Sequence, residues 1–252
     1  MENACFYLRR DCEHRGPWLP RSLLMSIEDN LKNVRDRIIA AAERAHREPT
    51  SIKLIVVTKT IDVARIREAV AAGAAALGEN RVQEAKEKIE QLGPLATWHL
   101  IGYLQSNKAK YAVRLFDLIH SVDDLELARE IDRQAAKIGK IQNVLIEVNV
   151  SGEASKAGVA PEYVESLMRQ AAALKHIAVK GLMTMPPYSD NPEDARPYFK
   201  RLRELSAQIE REKLPAVSMS ELSMGMSGDF EVAVEEGATM VRVGTAIFGA
   251  SS

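Results

Sequence analysis

The chain of 252 residues carries a formal net charge of −1, and 46% of its residues are hydrophobic, which is enough for a sizeable core. Acidic and basic residues are mixed along the chain, so its charge gives no reason to expect nucleic acid or an anionic membrane surface as a partner. No run of about 18 apolar residues occurs, and the sequence therefore predicts a soluble globular protein without a membrane-spanning helix.

The N-terminal segment differs from the rest of the chain. The two cysteines, Cys5 and Cys12, both lie in it, so the remaining chain offers neither disulfides nor thiolate metal ligands, and we expect a cytoplasmic protein without a metal site. Residues 1–24 carry charges throughout and lack the apolar stretch of a secretory signal, so they are predicted to be a disordered extension. Ser26 is a good N-cap directly after Met25, which is a candidate for the natural start of the protein.

A helix is predicted first, because apolar residues recur at spacings of three and four from Ile27 to Ala45 and Pro49 follows. Eight apolar segments of strand length come after it. They are LIVVTK (54–59), AALGEN (75–80), TWHLIG (97–102), DLIHSV (117–122), NVLIEVNV (143–150), AVKGLMTM (178–185), SELSMG (220–225) and MVRVGT (240–245). Segments with helical periodicity lie between them, such as residues 62–73, which end in Gly73 at the left-handed C-terminal position.

Strand and helix alternate to the end of the chain, and the strands are too apolar to have a face in water. This pattern favours an α/β protein with a (β/α)8 TIM barrel over an open doubly wound sheet, with residues 25–252 as a single domain. Only about eight residues follow the eighth strand, too few for a full closing helix. We therefore expect the N-terminal helix, at about residues 26–46, to pack outside strands 8 and 1.

The active site of such a barrel lies at the carboxyl ends of its strands, so the polar residues near those ends are the candidates for a site. They include Lys59, Glu79, Asn80, His99, His120, Asn149, Ser223 and Arg242, together with Met183. Lys59 has two interpretations. It is either a rim lysine that reaches into water, or an amine that a closed pocket keeps neutral and nucleophilic toward carbonyls.

The turns after strands 7 and 8 favour the second interpretation. The segment SMGMSGDFEVAVEEG (223–237) places two glycines and Ser227 before a helix, and Gly244 and Thr245 end strand 8. Backbone N–H groups at such positions bind phosphate, although tight turns that merely need glycine would give the same pattern. A carbonyl-reactive lysine beside a phosphate site suits a phosphosugar, as in lysine-dependent aldolases, or pyridoxal 5'-phosphate (PLP).

Five segments carry a family resemblance. They are VVTKT, GENRVQEAKEK, WHLIGYLQSNK, GLMTMPP and SMGMSGDFEVAVEEGATMVRVGTAIFG. Together they resemble the pyridoxal phosphate homeostasis protein family, whose barrel is similar to the N-terminal domain of alanine racemase. The resemblance implies intracellular PLP homeostasis, with PLP held as a reversible Schiff base on Lys59 and with little or no catalytic turnover.

The resemblance also implies which residues contact the cofactor. Ser227, Gly244 and Thr245 are implied to contact the phosphate, and Arg242 to contact the pyridine nitrogen. Asn80 and Met224 are implied to line the pocket. Two further candidates, His99 and Asn149, have strand-end positions that would equally suit ordinary hydrogen bonding. The expected partners are PLP itself and PLP-dependent apoenzymes, with no nucleic acid and no membrane.

Arg242 also bears on the chemistry, because an arginine only donates hydrogen bonds and would leave the ring nitrogen unprotonated, which makes the ring a weak electron sink. Aminotransferases instead supply a carboxylate, so the sequence argues against transamination. A PLP-dependent amino-acid racemase stays open as an alternative. Alanine racemase completes its site with a tyrosine from a second domain, however, and no tyrosine follows Tyr198 here. The same missing domain removes the racemase's usual dimer surface, so we expect a monomer.

Overall fold

Eight parallel strands form a closed barrel in chain order in this computed structural model, which describes residues 26–153 and 156–249. The strands are β1 (Lys53–Val57), β2 (Ala76–Glu79), β3 (Thr97–Leu100), β4 (Leu118–Val122), β5 (Gln142–Glu147), β6 (Ile177–Met183), β7 (Val217–Ser223) and β8 (Met240–Val243). Each strand pairs with the next, and β8 pairs with β1. All eight predicted strands are present, and the (β/α)8 barrel is confirmed.

Helices lie outside the barrel between successive strands. They are α1 (Ile27–Arg44), α2 (Val63–Ala71), α3 (Val82–Leu92), α4 (Ala109–Leu115), α5 (Leu125–Ala136), α6 (Pro161–Ala171), α7 (Arg196–Glu210), α8 (Phe230–Glu235) and α9 (Thr245–Phe248), with short 3-10 helices at Pro49–Ser51, Ser106–Lys108 and Pro192–Ala195. In the described part of the chain, none of these helices combines the length and the apolar character needed to cross a bilayer.

The interior of the barrel contains an apolar layer with polar side chains on both sides of it. Alternate residues of a barrel strand face inward, and these side chains stack in layers along the barrel. The apolar layer consists of Ile55, Leu118, Leu145, Met183 and Met240, with Ala76 packed against it. A second and larger core lies between the strands and the helices, and Phe116, Phe199 and Phe230 are fully buried there.

The N-terminal helix α1 packs beside β8 and β1, as predicted. Ser26 and Asp29 form a capping box at its start, which fixes where the helix begins. Its buried apolar face packs against α8 and α9, the short helices that follow β7 and β8. Asn30 Nδ2 donates to the carbonyl oxygen of Ile247 at 2.9 Å, which ties α1 to the end of α9. The predicted extension, residues 1–24, and the candidate start at Met25 lie outside the described residues.

Candidate functional site

Lys59 lies two residues beyond the end of β1, in the period-two register of Ile55 that faces the barrel interior. Its side chain is exposed. Within residues 26–153 and 156–249, its Nζ has no hydrogen-bond or ion-pair partner. The amine is therefore accessible and is not held by a carboxylate, as a nucleophile toward a carbonyl requires.

A second lysine near the same strand end, Lys88, has the opposite environment. It is buried, and its Nζ lies 2.6 Å from Thr58 O, 2.7 Å from Glu79 Oε1 and 2.6 Å from Glu84 Oε1. An ammonium group has three N–H donors, and all three are used here. Lys88 therefore has no free donor, whereas the Nζ of Lys59 has no partner in the described part of the chain.

The carboxylates around Lys88 hold the turn that carries Lys59. Glu79 Oε1 also accepts from Thr58 Oγ1 at 2.6 Å, and Glu84 Oε1 accepts from the Thr60 backbone N–H at 2.7 Å. Burial raises the pKa of Glu79 in spite of the hydrogen bonds from Lys88 and Thr58. Burial also acts to raise the pKa of Glu84, but the hydrogen bonds that it accepts outweigh burial and lower this pKa. We call Lys88, Glu79 and Glu84 the lysine brace.

The loops after β7 and β8 meet at Ser227. Its Oγ accepts from the backbone N–H of Gly244 at 3.3 Å and from that of Ala246 at 3.4 Å. The backbone N–H groups of Ser227, Gly228 and Thr245 donate to no acceptor in the described part of the chain. Three unpaired N–H groups on two adjoining loops form a cradle suited to phosphate oxygens. The structure thus brings together all three residues predicted to hold phosphate.

Of two glycines in these loops, Gly225 has no room for a side chain and Gly244 has little. Gly225 has a φ of 91°, and a Cβ there would lie 2.5 Å from the Cβ of Ala233. A Cβ on Gly244 would lie 3.2 Å from both the Cβ and the carbonyl oxygen of Val57, at the contact of β8 with β1. Glycine is therefore needed for the turns themselves. These same turns leave the cradle N–H groups unpaired, so the structural and the ligand-binding interpretations are compatible.

Arg242, on β8, is buried inside the barrel. Its Nη1 donates to Ser223 Oγ at 2.6 Å and its Nη2 to the carbonyl oxygen of Thr184 at 2.9 Å. Burial lowers the pKa of Arg242 to about 10, against the opposing effect of Glu147 and Asp229, so the guanidinium stays protonated at neutral pH. Two of its five N–H groups are used in these bonds, and the others are left to donate to a ligand acceptor such as a ring nitrogen.

Buried carboxyl groups near Arg242 were not among the predicted site residues. Glu147 ends β5 and is only 3% exposed; burial and the nearby Asp123 raise its pKa to about 7, although Arg242 acts against them. Burial likewise raises the pKa of Asp229. An acid within the apolar run LIEV of β5 is the sequence signal that would have indicated Glu147, because an ionisable group inside a buried strand is unusual.

Two of the weaker candidates do not face the position of Lys59. His99 lines a cavity at the amino ends of the strands, and its Nδ1 lies 2.9 Å from His120 Nε2. The expectation of a carboxyl-end position is corrected for His99, which lies one residue before the end of a short strand. Asn149 is engaged within its own loop, where Nδ2 donates to Glu153 O at 2.8 Å and Oδ1 accepts from Gly152 N at 3.0 Å.

The two predicted pocket-lining residues differ in accessibility. Asn80 is half-buried directly after β2 and lines a groove of about 450 Å³ together with Gly102 and Gln105. Met224 is fully buried, and its side chain packs in the core between strands and helices. Only its backbone is available beside a ligand, because the side chain does not reach the interior of the barrel.

The sequence of this chain is similar to those of known proteins. A profile of the alanine racemase N-terminal domain matches residues 28–252. The pyridoxal phosphate homeostasis protein of Aquifex aeolicus is 50% identical over 226 residues, which cover 89% of this chain and 98% of that protein. The protein of the same description from Pseudomonas aeruginosa is 41% identical over 228 residues, covering 90% and 96%.

Solved structures agree with these similarities. PipY of Synechococcus elongatus, determined with PLP bound, matches with a TM-score of 0.78 and 38% identity, covering 89% of this chain and all of that one. An alanine racemase of Clostridium difficile matches with a TM-score of 0.70 at 18% identity, covering 88% of this chain and 57% of that one. The second likeness concerns the fold alone.

Proposed function

We propose that this chain, which belongs to the family of pyridoxal phosphate homeostasis proteins, binds PLP and takes part in intracellular PLP homeostasis. The observation that carries this proposal lies at one end of the barrel. There, within the described residues, Lys59 has an amine without a partner, and the loops after β7 and β8 have a cradle of unpaired backbone N–H groups. PLP has an aldehyde for such an amine and a phosphate for such a cradle.

Lys59 holds the cofactor in this proposal through a reversible Schiff base. When bound, PLP supplies an aldehyde that condenses with a neutral amine. The contrast with Lys88 supports the choice of lysine, because the Nζ of Lys88 already donates three hydrogen bonds within the protein. The lysine brace in turn holds the turn at Thr58 and Thr60, so the amine of Lys59 starts from a fixed backbone position.

The remaining predicted contacts take their places around this anchor. The phosphate lies against Ser227, Gly244 and Thr245; the unpaired backbone N–H groups of Ser227 and Thr245 and the Thr245 hydroxyl donate to it, while Gly244 N–H holds Ser227 Oγ in place. Asn80, directly after β2, lines the pocket on the side of β2 and β3. Arg242 donates to the pyridine nitrogen with N–H groups that Ser223 and Thr184 leave free. Met224 contributes through its backbone only.

Little or no turnover is part of the proposal. The protonated guanidinium of Arg242 can only donate, so it keeps the ring nitrogen unprotonated and limits how much negative charge the ring can accept. We also propose a cytoplasmic monomer that passes PLP to apoenzymes. The relatives support a single-barrel unit, because this chain covers 98% of the Aquifex aeolicus protein.

The test of this function is cofactor binding by Lys59→Ala. The variant should lose the visible absorbance of the imine, while the phosphate cradle retains weaker binding. Lys200→Ala is the matched control, because Lys200 is an exposed lysine on α7. Unchanged imine absorbance in Lys59→Ala would refute the proposed anchor.

The racemase alternative has a separate readout. Conversion of an L-amino acid to its D form, at rates far above those of free PLP and abolished in Lys59→Ala, would show that the protein is a racemase and does not only bind the cofactor. A lysine-dependent phosphosugar aldolase is a further alternative. It would be colourless with its ligand bound, whereas a pyridoxal imine is yellow, so a visible absorbance spectrum distinguishes the two.

A further inference from the structure

A cavity of about 660 Å³ lies at the amino ends of the strands, on the other side of the apolar layer from Lys59. Its wall includes the first residues of several strands, among them Lys53, Ala76, Thr97 and Met240. We call it the amino-end cavity. Ionisable side chains also line it, so its chemistry depends on which of them already have partners.

The two acids on the wall are both engaged. Glu221 pairs with Lys53 and also accepts from Thr239 Oγ1 at 2.7 Å. Asp117 Oδ2 accepts from the backbone N–H of Trp98 at 2.8 Å. The negative charges of the wall are thus compensated by a cation and by donors of the protein itself.

Three side chains on the wall remain uncommitted within the described residues, namely Lys180, His99 and Asn143, whose side-chain amide has no hydrogen-bond partner there. Lys180 lines the cavity, and its ammonium has no partner among the described residues. His99 is 7% exposed; its Nδ1 contacts His120, whereas its Nε2 has no partner in the part of the chain that the structure describes. A ring nitrogen that is accessible from a cavity and has no partner among the described residues is a position where a ligand atom can accept or donate a hydrogen bond.

His99 is connected to the proposed cofactor site by a chain of buried hydrogen bonds. Its Nδ1 lies 2.9 Å from His120 Nε2, His120 Nδ1 lies 2.9 Å from Ser223 Oγ, and Ser223 Oγ lies 2.6 Å from Arg242 Nη1. We call these four side chains the histidine relay. It passes through the barrel from the amino-end cavity to the guanidinium proposed to bind the pyridine nitrogen.

The direction of donation along the histidine relay follows from Arg242, which can only donate. Ser223 Oγ accepts from it, and the serine proton has no partner unless it is donated to His120 Nδ1. His120 Nε2–H then donates to His99 Nδ1, and the remaining proton of His99 is on Nε2, directed at the cavity. The opposite order would leave the buried Ser223 hydroxyl hydrogen without an acceptor, which is unfavourable.

Both histidines are neutral in this arrangement, and their surroundings agree. Burial lowers the pKa of His99 to about 4, and burial together with His99 and Arg242 lowers that of His120. The uncommitted groups of the cavity are therefore one ammonium, one neutral N–H donor of His99 and the side-chain amide of Asn143. A monoanion matches them, whereas a phosphate dianion would meet one free cation and the two nearby carboxylates.

We propose that the amino-end cavity binds a small organic carboxylate between Lys180 and the Nε2–H of His99. The histidine relay then transmits occupancy of the cavity to Arg242, because a stronger acceptor at one end of a hydrogen-bond chain polarises every donor in it. This second step rests on the proposed function, since it changes the donor that faces the pyridine nitrogen.

The test uses PLP-loaded protein with isotopically labelled histidine, so that the phosphate cradle is already filled. Acetate and succinate are titrated as carboxylate probes and inorganic phosphate as the second anion, while NMR follows the side-chain resonances. Saturable shifts are expected at His99 and His120 with the carboxylates. His46 and His176 serve as internal references. Lys180→Ala should weaken acetate binding by about tenfold, the effect of about 1.4 kcal/mol, and Lys200→Ala should not.

The outcomes separate this inference from the proposed function. If imine absorbance is present but no probe gives a saturable shift at His99, or Lys180→Ala binds acetate like the parent, the carboxylate site is refuted and the cofactor assignment stands. Saturation by phosphate alone would also overturn it. Acetate binding that leaves the visible spectrum of bound PLP unchanged would refute the coupling through the histidine relay. If the parent protein shows no imine absorbance after PLP is added, the proposed function is refuted instead.

Discussion

Thr245 begins α9, and its backbone N–H and side chain both border the proposed phosphate position. Thr245→Val keeps the shape and removes the hydroxyl, so it tests the side chain separately from the backbone. We expect PLP to bind about tenfold more weakly, since a hydrogen bond to a charged group contributes about 1.5 kcal/mol or more. Fluorescence titration measures this. Thr50→Val is the control at an exposed threonine, and equal dissociation constants would exclude a Thr245 hydroxyl contact.

The raised pKa of Glu147 makes the free energy of unfolding depend on pH. Its pKa rises from 4.5 to about 7 on folding, so between these values the folded protein binds more protons than the unfolded chain. Stability therefore falls as the pH rises through this window and levels off above it. The burial of the ionised group then costs about 3 kcal/mol, at about 1.4 kcal/mol per pKa unit.

Glu147→Gln should remove this pH dependence. The variant should be more stable than the parent at about pH 8, and the difference should shrink toward about pH 5. Urea unfolding at a series of pH values measures the free energy of unfolding. Glu204→Gln on the exposed side of α7 is the control. Parallel pH profiles of the parent and Glu147→Gln would contradict a raised pKa at Glu147.

At the scale of elements, the lysine brace joins the end of β1 to the end of β2 and to α3. Lys88→Met leaves the carboxylate of Glu79 buried without its cation, which should lower the free energy of unfolding by about 3–5 kcal/mol. Adding Glu79→Gln removes that charge, so the double variant should be more stable than Lys88→Met alone. Urea unfolding tests both.

A neighbouring lysine on the same helix is the control for the brace. Lys86 is exposed and lies 3.7 Å from Glu90, so Lys86→Met should change stability little. A similar loss of unfolding free energy in Lys86→Met and Lys88→Met would show that the lysine brace does not contribute more to stability than an exposed ion pair. The brace should also matter for binding, because it fixes the backbone on both sides of Lys59.

The elements were predictable because their signals are local. Apolar runs gave all eight strands, and Ser26 with the periodicity after it gave α1 to within two residues. The histidine relay and the lysine brace were not predictable in the same way. His120 contacts Ser223 across 103 positions of the sequence, and only the closure of the barrel brings these side chains together.

For the site, the sequence indicated the loops better than the side chains. Ser227 and Gly244 were expected together because glycine-rich turns follow β7 and β8, and the structure brings them within 3.3 Å. The family resemblance implied that Met224 lines the pocket, but strand alternation turns its side chain toward the helices. His99 was expected at the carboxyl ends, but it lies one residue before the end of the short strand β3 and lines the cavity at the amino ends.

On the scale of the whole molecule, α1 covers the barrel where β8 meets β1. Leu31 on α1 is fully buried, and Leu31→Ala should lower the free energy of unfolding by about 3 kcal/mol or more, through lost burial and the cavity left behind. Ile39→Ala on the same helix is the control, because Ile39 is 40% exposed. Equal urea midpoints for the two variants would mean that α1 packs only loosely on the barrel.

Covalent attachment of PLP to Lys59 is tested most directly by borohydride reduction of the PLP-loaded protein. Reduction fixes the imine as a stable amine, and mass spectrometry of the digested protein then locates the modified lysine. We expect the label on the peptide that contains Lys59, and no label at this position in Lys59→Ala. A label on Lys88 or on another lysine, or a loaded protein that yields no reduced adduct, would contradict it.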